Sequence, residues 1–182
     1  GTYQDQNNGN AVTRCSANTA GSANARWIFN QPILGKTSLP ASTGTIRFGS
    51  FSGAGTLSDG GNGILNTVEV GALGLDDTFS GVIGQFSGTI GLTKVGAGTM
   101  TLLGINTYTG PNNINAGKLL ITTETQAKGN YTVANGATLS VSNITTSSAS
   151  ISNLTLAAGS TVEFMDINSA TTPLLAANTV PS

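Results

Sequence analysis

Residues 88–121 read GTIGLTKVGAGTMTLLGINTYTGPNNINAGKLLI, and this stretch decides the fold. It holds short runs in which apolar and polar residues alternate, at Ile90/Leu92, Met100/Leu102 and Leu119/Ile121, each introduced by a glycine. Alternation of period two over a few residues between glycines specifies strands, not helices. Gly98 opens GTMTL, Gly117 opens GKLLI, Gly136 opens GATLSV and Gly159 opens GSTVEF, at intervals of 19, 19 and 23 residues. A recurring period near twenty is the mark of a solenoid.

One short strand per repeat cannot bury its apolar face alone, so successive repeats must stack strand upon strand and share a core. Each strand is followed by a full circuit before the next lies beside it, which makes the sheet parallel, with neighbours roughly 4.8 Å apart. A circuit this short has no room for the helix that usually links parallel strands. The expected fold is therefore all-β, a right-handed parallel β-helix of about seven to eight rungs, each of roughly 19–23 residues. Residues 1–24 read as a polar N-terminal arm or cap, 25–167 as the β-helix and 168–182 as a C-terminal tail or end-contact segment.

The segment LTKVGAGTMTLLGINTYTGPNNINAGKLLI resembles the autotransporter-associated β-strand repeat of bacterial surface and secreted proteins, whose pattern is roughly LTKxGxGTLTLxGxNTYTGxTxINxGxLxL. Leu92, Thr93, Lys94, Gly96, Gly98, Thr99, Thr101, Leu102, Gly104, Asn106, Thr107, Tyr108, Thr109, Gly110, Ile114, Asn115, Gly117 and Leu119 match it. Met100 stands for the usual leucine, and Pro111-Asn112-Asn113 replace the usual glycine and threonines; the first keeps a core residue and the second a turn. LDDTFSGVIG, residues 75–84, is similar to the segment that commonly precedes the repeat. The resemblance implies an extended β-helical architecture at the bacterial surface, with adhesion or scaffolding more often than catalysis. It implies no ligand.

Glycine supplies 25 of the 182 residues, while charged residues are 8% of the chain against an average near 25%. Thr, Ser and Asn supply a neutral polar exterior and, stacked in register, the means for hydrogen-bonded ladders. A net charge of -1 with no basic cluster leaves no electrostatic footprint for nucleic acid. No run approaches the eighteen or so apolar residues of a membrane helix, so direct membrane insertion of this segment is not expected. The chain opens on Gly1 without a charged-then-apolar leader, which reads as a processed product or an excised piece, and the membrane-anchoring barrel of an autotransporter is expected to have been removed or to lie outside it.

Outside the central repeat, Arg26-Trp27-Ile28-Phe29 reads as the first rung or as a plug over the open end of the coil. GAGTL at Gly53 and GAGTM at Gly96 lie 43 residues apart, as two circuits would. VANGATLSV (133–141) and LAAGSTVEF (156–164) align at an offset of 23, with the extra residues assigned to the Ser/Thr-rich stretch near 145–150.

The search for chemistry yields little. Histidine is absent and no G-x-S-x-G elbow occurs. The carboxylates are Asp5, Asp59, Glu69, Asp76, Asp77, Glu124, Glu163 and Asp166. Asp76-Asp77 is the first place to look, yet neighbours in a strand face opposite ways, so the pair reads as corner residues bonding their own backbone. Glu69 and Glu163 read as surface charges, Lys94 as a solvent-facing stem and Tyr108 as a turn-packing ring. Phe48, Phe51, Phe79, Phe86 and Phe164 read as core. Asn106, Asn112, Asn113 and Asn115 read as corner residues that stack amides from rung to rung, and the sequons at Asn130, Asn143 and Asn153 as coincidences of composition.

No catalytic, cofactor-binding or metal-binding set emerges. The structural residues of the repeat are Gly96, Gly98, Leu102, Asn106, Tyr108, Gly110, Gly117, Gly136 and Gly159. Cys15, alone and so without an intrachain disulfide, and Trp27 are the candidates for intermolecular contact. The expected function is a non-catalytic, extracellular structural or adhesive protein of the bacterial outer surface, one form of which is an end-to-end fibre. Its partners are copies of itself or a host or neighbouring cell surface. The alternative is a polysaccharide-binding or lyase-like protein on the same fold.

Overall fold

The computed structural model describes residues 2–4, 22–29, 36–38, 44–58, 65–85, 88–122, 128–142, 149–165 and 175–179. The strands among them are β1 (Thr2–Gln4), β2 (Ser22–Phe29), β3 (Lys36–Ser38), β4 (Gly44–Gly53), β5 (Thr56–Ser58) and β6 (Leu65–Val70). There follow β7 (Asp77–Phe79), β8 (Val82–Gly84), β9 (Thr89–Lys94), β10 (Thr99–Leu102), β11 (Asn112–Ile114) and β12 (Lys118–Thr122). The last are β13 (Tyr131–Val133), β14 (Thr138–Ser142), β15 (Ala149–Leu156), β16 (Thr161–Met165) and β17 (Leu175–Thr179). No helix occurs among the described residues, and every described strand pair is parallel.

The strands stack as a β-solenoid. One ladder runs β7, β10, β12, β14, β16; a second runs β6, β9, β11, β13, β15, β17; a third, shorter one is β3, β5, β8. The long β4 joins the first two. Its Gly44–Phe48 portion pairs with β6 and its last residue, Gly53, pairs with Phe79 of β7, so a single strand in one turn spans what the next turn divides at a corner. Following the second ladder through Ile46, Val68, Leu92, Asn112, Tyr131 and Leu154 counts about five turns, each of 19 to 24 residues. That is fewer than the seven to eight rungs read from the sequence. A count from the period near twenty also takes in the terminal segments, where the structure describes single paired strands such as β1 and β17.

The interior follows from strand alternation. Ile90, Leu92, Met100, Leu102, Leu119 and Ile121 are all buried, each such side chain contributing ~1.5–3 kcal/mol relative to exposure. Phe29, Phe48, Phe51 and Phe79 fill the early turns, with neighbouring ring centroids 4.4 to 5.9 Å apart. Trp27 joins this cluster at 5.3 Å from Phe48. Phe164, read as core, is instead 46% exposed. It occupies the inward column after Val141, but among the described residues no strand covers the far side of β16.

One further reading changes. GAGTL and GAGTM are not two circuits apart: Gly53 stacks on Phe79, which stacks on Leu102, so Gly53 and Gly96 stand at different corners. The reading failed because similar glycine turns recur at more than one vertex. The offset of 23 between VANGATLSV and LAAGSTVEF is, by contrast, the register observed, with Thr138 on Thr161 and Val141 on Phe164. The Ser/Thr-rich stretch credited with the extra residues lies mostly outside the described residues.

The corner preceding β10, β12, β14 and β16 carries Gly96, Gly117, Gly136 and Gly159, all at positive φ. At Gly96 two constraints coincide: φ is +71°, and an added Cβ would lie 2.0 Å from the carbonyl oxygen of Gly71 in the turn below. At Gly136 φ is +76° but nothing lies within 4 Å of that position. Comparing the two separates conformation from crowding. Gly136→Ala should cost about 1–2 kcal/mol, the penalty of a left-handed residue with a Cβ, and Gly96→Ala more than twice as much. Chemical unfolding of the two variants beside the parent chain measures the difference.

Candidate functional site

Two buried charged side chains, Lys94 and Asp77, lie inside the coil beside the corners between the second and first ladders. β9 places Ile90, Leu92 and Lys94 on its inward face, because residues two apart share a face of a strand. Lys94 is accordingly 1% exposed. Its ammonium donates to the carbonyls of Val95 (2.7 Å), Gly96 (2.8 Å) and, one turn on, Ala116 (3.3 Å). The expectation of a solvent-facing stem was wrong. In the ladder register Lys94 follows Val70 and precedes Ile114, so it sits in an apolar column. Its three donors match three inward-facing corner carbonyls, which an apolar side chain would leave unpaired.

Across the corner, Asp77 opens β7 and points inward. Its carboxylate accepts from Ser50 Oγ at 2.6 Å and from the Phe51 backbone N–H at 3.1 Å, both in the preceding turn. Asp76 faces outward and accepts from the Thr99 N–H of the following turn at 2.7 Å. The two aspartates do face opposite ways, but they bond neighbouring turns and not their own backbone. Adjacent corners present free N–H groups at one turn's spacing, which puts them within reach of a short carboxylate. Burial pulls the Lys94 ammonium down to about 8, against Asp77 and Asp76, whose negative charges pull the other way.

A second buried cluster lies at the turns around 104–112. Asn106 accepts from the Ile83 N–H at 2.7 Å and donates to the Gly104 carbonyl at 2.9 Å. The Tyr108 hydroxyl donates to Asn112 Oδ1 at 2.6 Å, and both residues are fully buried. Burial pushes the Tyr108 phenol well above its ordinary value, with Tyr131 adding to the effect, and burial alone raises Tyr131. Tyr108 is thus a fully packed ring. Asn106 and Asn112 bond backbone and hydroxyl groups, not each other's amides. Amide stacking from turn to turn does occur, but at Asn153 and Asn130, where Nδ2 donates to Oδ1 at 2.8 Å.

On the exterior, Arg47 pairs with Glu69 at 3.2 Å and Lys118 with Glu163 at 2.8 Å. Gln85 and Thr109 exchange two hydrogen bonds of 2.9 Å between turns. Leu102 is buried, Gly98 packs against the Leu75 carbonyl and Gly110 against that of Ile90. Cys15, Asp5, Asp59, Glu124, Asp166, Phe86 and Asn143 lie outside the described residues. An open, shallow groove of about 390 Å³ runs along the corner formed by Thr89, Thr109, Gly110, Pro111, Gly129, Asn130 and Ser152. Among the described residues no three His, Cys, Asp or Glu side chains group as metal ligands, and no helix is long and apolar enough to cross a membrane.

The interior lysine was within reach of sequence reasoning, since it continues the phase of Ile90 and Leu92. The aspartate bonds were not, because they depend on which corners lie one turn apart.

Fold and interior together define a parallel β-solenoid whose turns are tied by buried polar contacts. Residues 92–121, from within β9 through most of β12, match the family model described as Passenger-associated-transport-repeat. No curated protein and no solved structure matches the chain. The repeat and the solenoid fit an autotransporter passenger domain, a secreted or surface-exposed class of protein.

The Lys94 environment predicts a pH dependence. Below pH 8 the amine is protonated in folded and unfolded chains alike. Between about 8 and its ordinary 10.5 only the unfolded chain keeps the proton, so stability rises with pH. Above about 10.0 the unfolded tyrosines ionise while buried Tyr108 and Tyr131 stay protonated, and stability falls. Thermal midpoints should therefore climb above pH 8 and turn over near pH 10, and Lys94→Met should abolish the climb while leaving the fall.

Proposed function

We propose that this chain is a non-catalytic structural segment of a bacterial surface protein: a β-solenoid rod that holds adhesive surfaces away from the cell and associates through its ends. The observation that carries this reading is the employment of ionisable side chains among the described residues. Asp76, Asp77 and Lys94 tie one turn to the next, and Glu69 and Glu163 are matched to cations on the outer face. An acid, base or nucleophile must be positioned to meet a substrate, whereas these groups are positioned to meet the neighbouring turn. Steady mechanical continuity is what such bracing provides.

The groove beside Thr109, Asn130 and Ser152 favours a second reading, a polysaccharide-binding rod. Its lining of hydroxyl and amide groups is suited to sugar hydroxyls, and its openness suits a chain that passes along it.

Incubating the purified chain with neutral and acidic polysaccharides, with and without calcium, tests both. The expected result is no new reducing ends and no unsaturated products. Turnover that disappears in Asp76→Asn or Glu163→Gln would overturn the structural reading in favour of an enzyme. Retention on an immobilised glycan that is lost in Asn130→Ala would favour the second.

A further inference from the structure

Among the described residues, the two ends of the solenoid differ in what they leave uncovered. At the C-terminal end, Leu156 is 44% and Phe164 46% exposed, whereas Val133 and Val141, one turn below in the same inward columns, are fully buried. β16 pairs with β14 on one side and, among the described residues, with no strand on the other. An apolar edge with free N–H and C=O groups is a template for another strand. At the opposite end, β1 pairs with β2 in register, Thr2 on Arg26, Tyr3 on Trp27 and Gln4 on Ile28.

We infer that the β16 edge receives β1 of a second copy of this chain, head to tail, with Thr161 of one copy beside Thr2 of the next. This deepens the reading of a rod that associates through its ends, and rests on it. The register is fixed by the columns already present. Lys118, Thr138 and Thr161 stack in one outward column, and Thr2 placed on Thr161 brings Arg26 into that same column two turns above Thr161. Val162 then meets the Tyr3 position, continuing the inward column of Leu119 and Leu139.

Charge supports the choice of a second copy as the occupant. Lys118 reaches Glu163 across two turns, at 2.8 Å, from two turns below Thr161. In the stacked pair, the exposed Arg26 stands in the same column at the same separation, on the other side of Glu163. The carboxylate is thereby bracketed by one cation from each copy. The contact is heterologous and every strand pair in it is parallel, so it does not close into a dimer but propagates as a filament.

The test is a chain carrying Thr2→Cys and Thr161→Cys in a Cys15→Ser background, oxidised at several concentrations. Directly opposed positions of adjacent strands fall within disulfide reach. The expected result is a ladder of covalent oligomers linked between residues 2 and 161, with filaments in electron micrographs. Arg26→Glu, an exposed change that spares the fold, should weaken association about tenfold at low salt, and the deficit should shrink as salt screens the pair. A single species of monomer mass at all concentrations overturns the inference. So do links between two residues 161, a disulfide within one chain, or oligomers that form without the 2–161 link. A monomer that is also inert toward polysaccharides removes only the end contact, whereas polysaccharide turnover removes the structural reading itself.

Discussion

Each turn of this molecule must lie in register on the turn before it, about 4.8 Å away, and the rest of the structure is a consequence of that spacing. At several corners the spacing leaves no room for a side chain. A Cβ on Gly104 would meet the Gly81 carbonyl oxygen at 1.7 Å, and one on Gly110 the Ile90 oxygen at 2.2 Å. Along the straight segments the same spacing stacks equivalent side chains into columns, so the size and polarity of a residue are judged against those one turn up and one turn down. The aromatic cluster of Phe29, Phe48, Phe51 and Phe79 gives way to aliphatic columns through Leu119 and Leu139 on this basis.

Such a fold is legible in sequence to the extent that one turn repeats the chemistry of another. Gly117, Gly136 and Gly159 mark the same corner in three turns, and the alignment of residues 133–141 with 156–164 is the register itself. Legibility fails where the repeat is ambiguous or broken. GAGTL and GAGTM are alike because both turn a corner, and nothing in either says which corner. Phe164 alternates correctly and still lies 46% exposed, since burial in a solenoid depends on the next turn and not on the strand's own pattern.

The buried polar residues were the least legible part, and the reason is physical. Lys94 has the phase of a core residue and the chemistry of a surface one. Which of these wins depends on the carbonyls of Val95, Gly96 and Ala116, and these converge only once the corner is formed. Asp77 is the same case with the sign reversed: its carboxylate requires the Ser50 hydroxyl and the Phe51 N–H of the turn below. The inward phase of Lys94 could be read from Ile90 and Leu92, but its Ala116 partner, like both partners of Asp77, lies a full turn away and could not.

These contacts also answer a difficulty inherent in stacking similar turns. Apolar columns of Val, Ile and Leu are nearly interchangeable, so a chain folded on them alone could pair a strand one turn too early or too late at small cost, the solenoid counterpart of a register slip in a sheet. The polar contacts are not interchangeable. A slip would place Asp77 away from Ser50, Asn106 away from the Ile83 N–H and Lys94 away from Ala116, and each stranded buried group would cost about 1–3 kcal/mol, more for the charged ones. Single polar residues in otherwise apolar seams fix register in coiled coils at some expense of stability, and the interior of this solenoid follows the same logic. It places its costliest groups in and beside residues 92–121, in the middle turns, where strands on both sides must agree on one alignment.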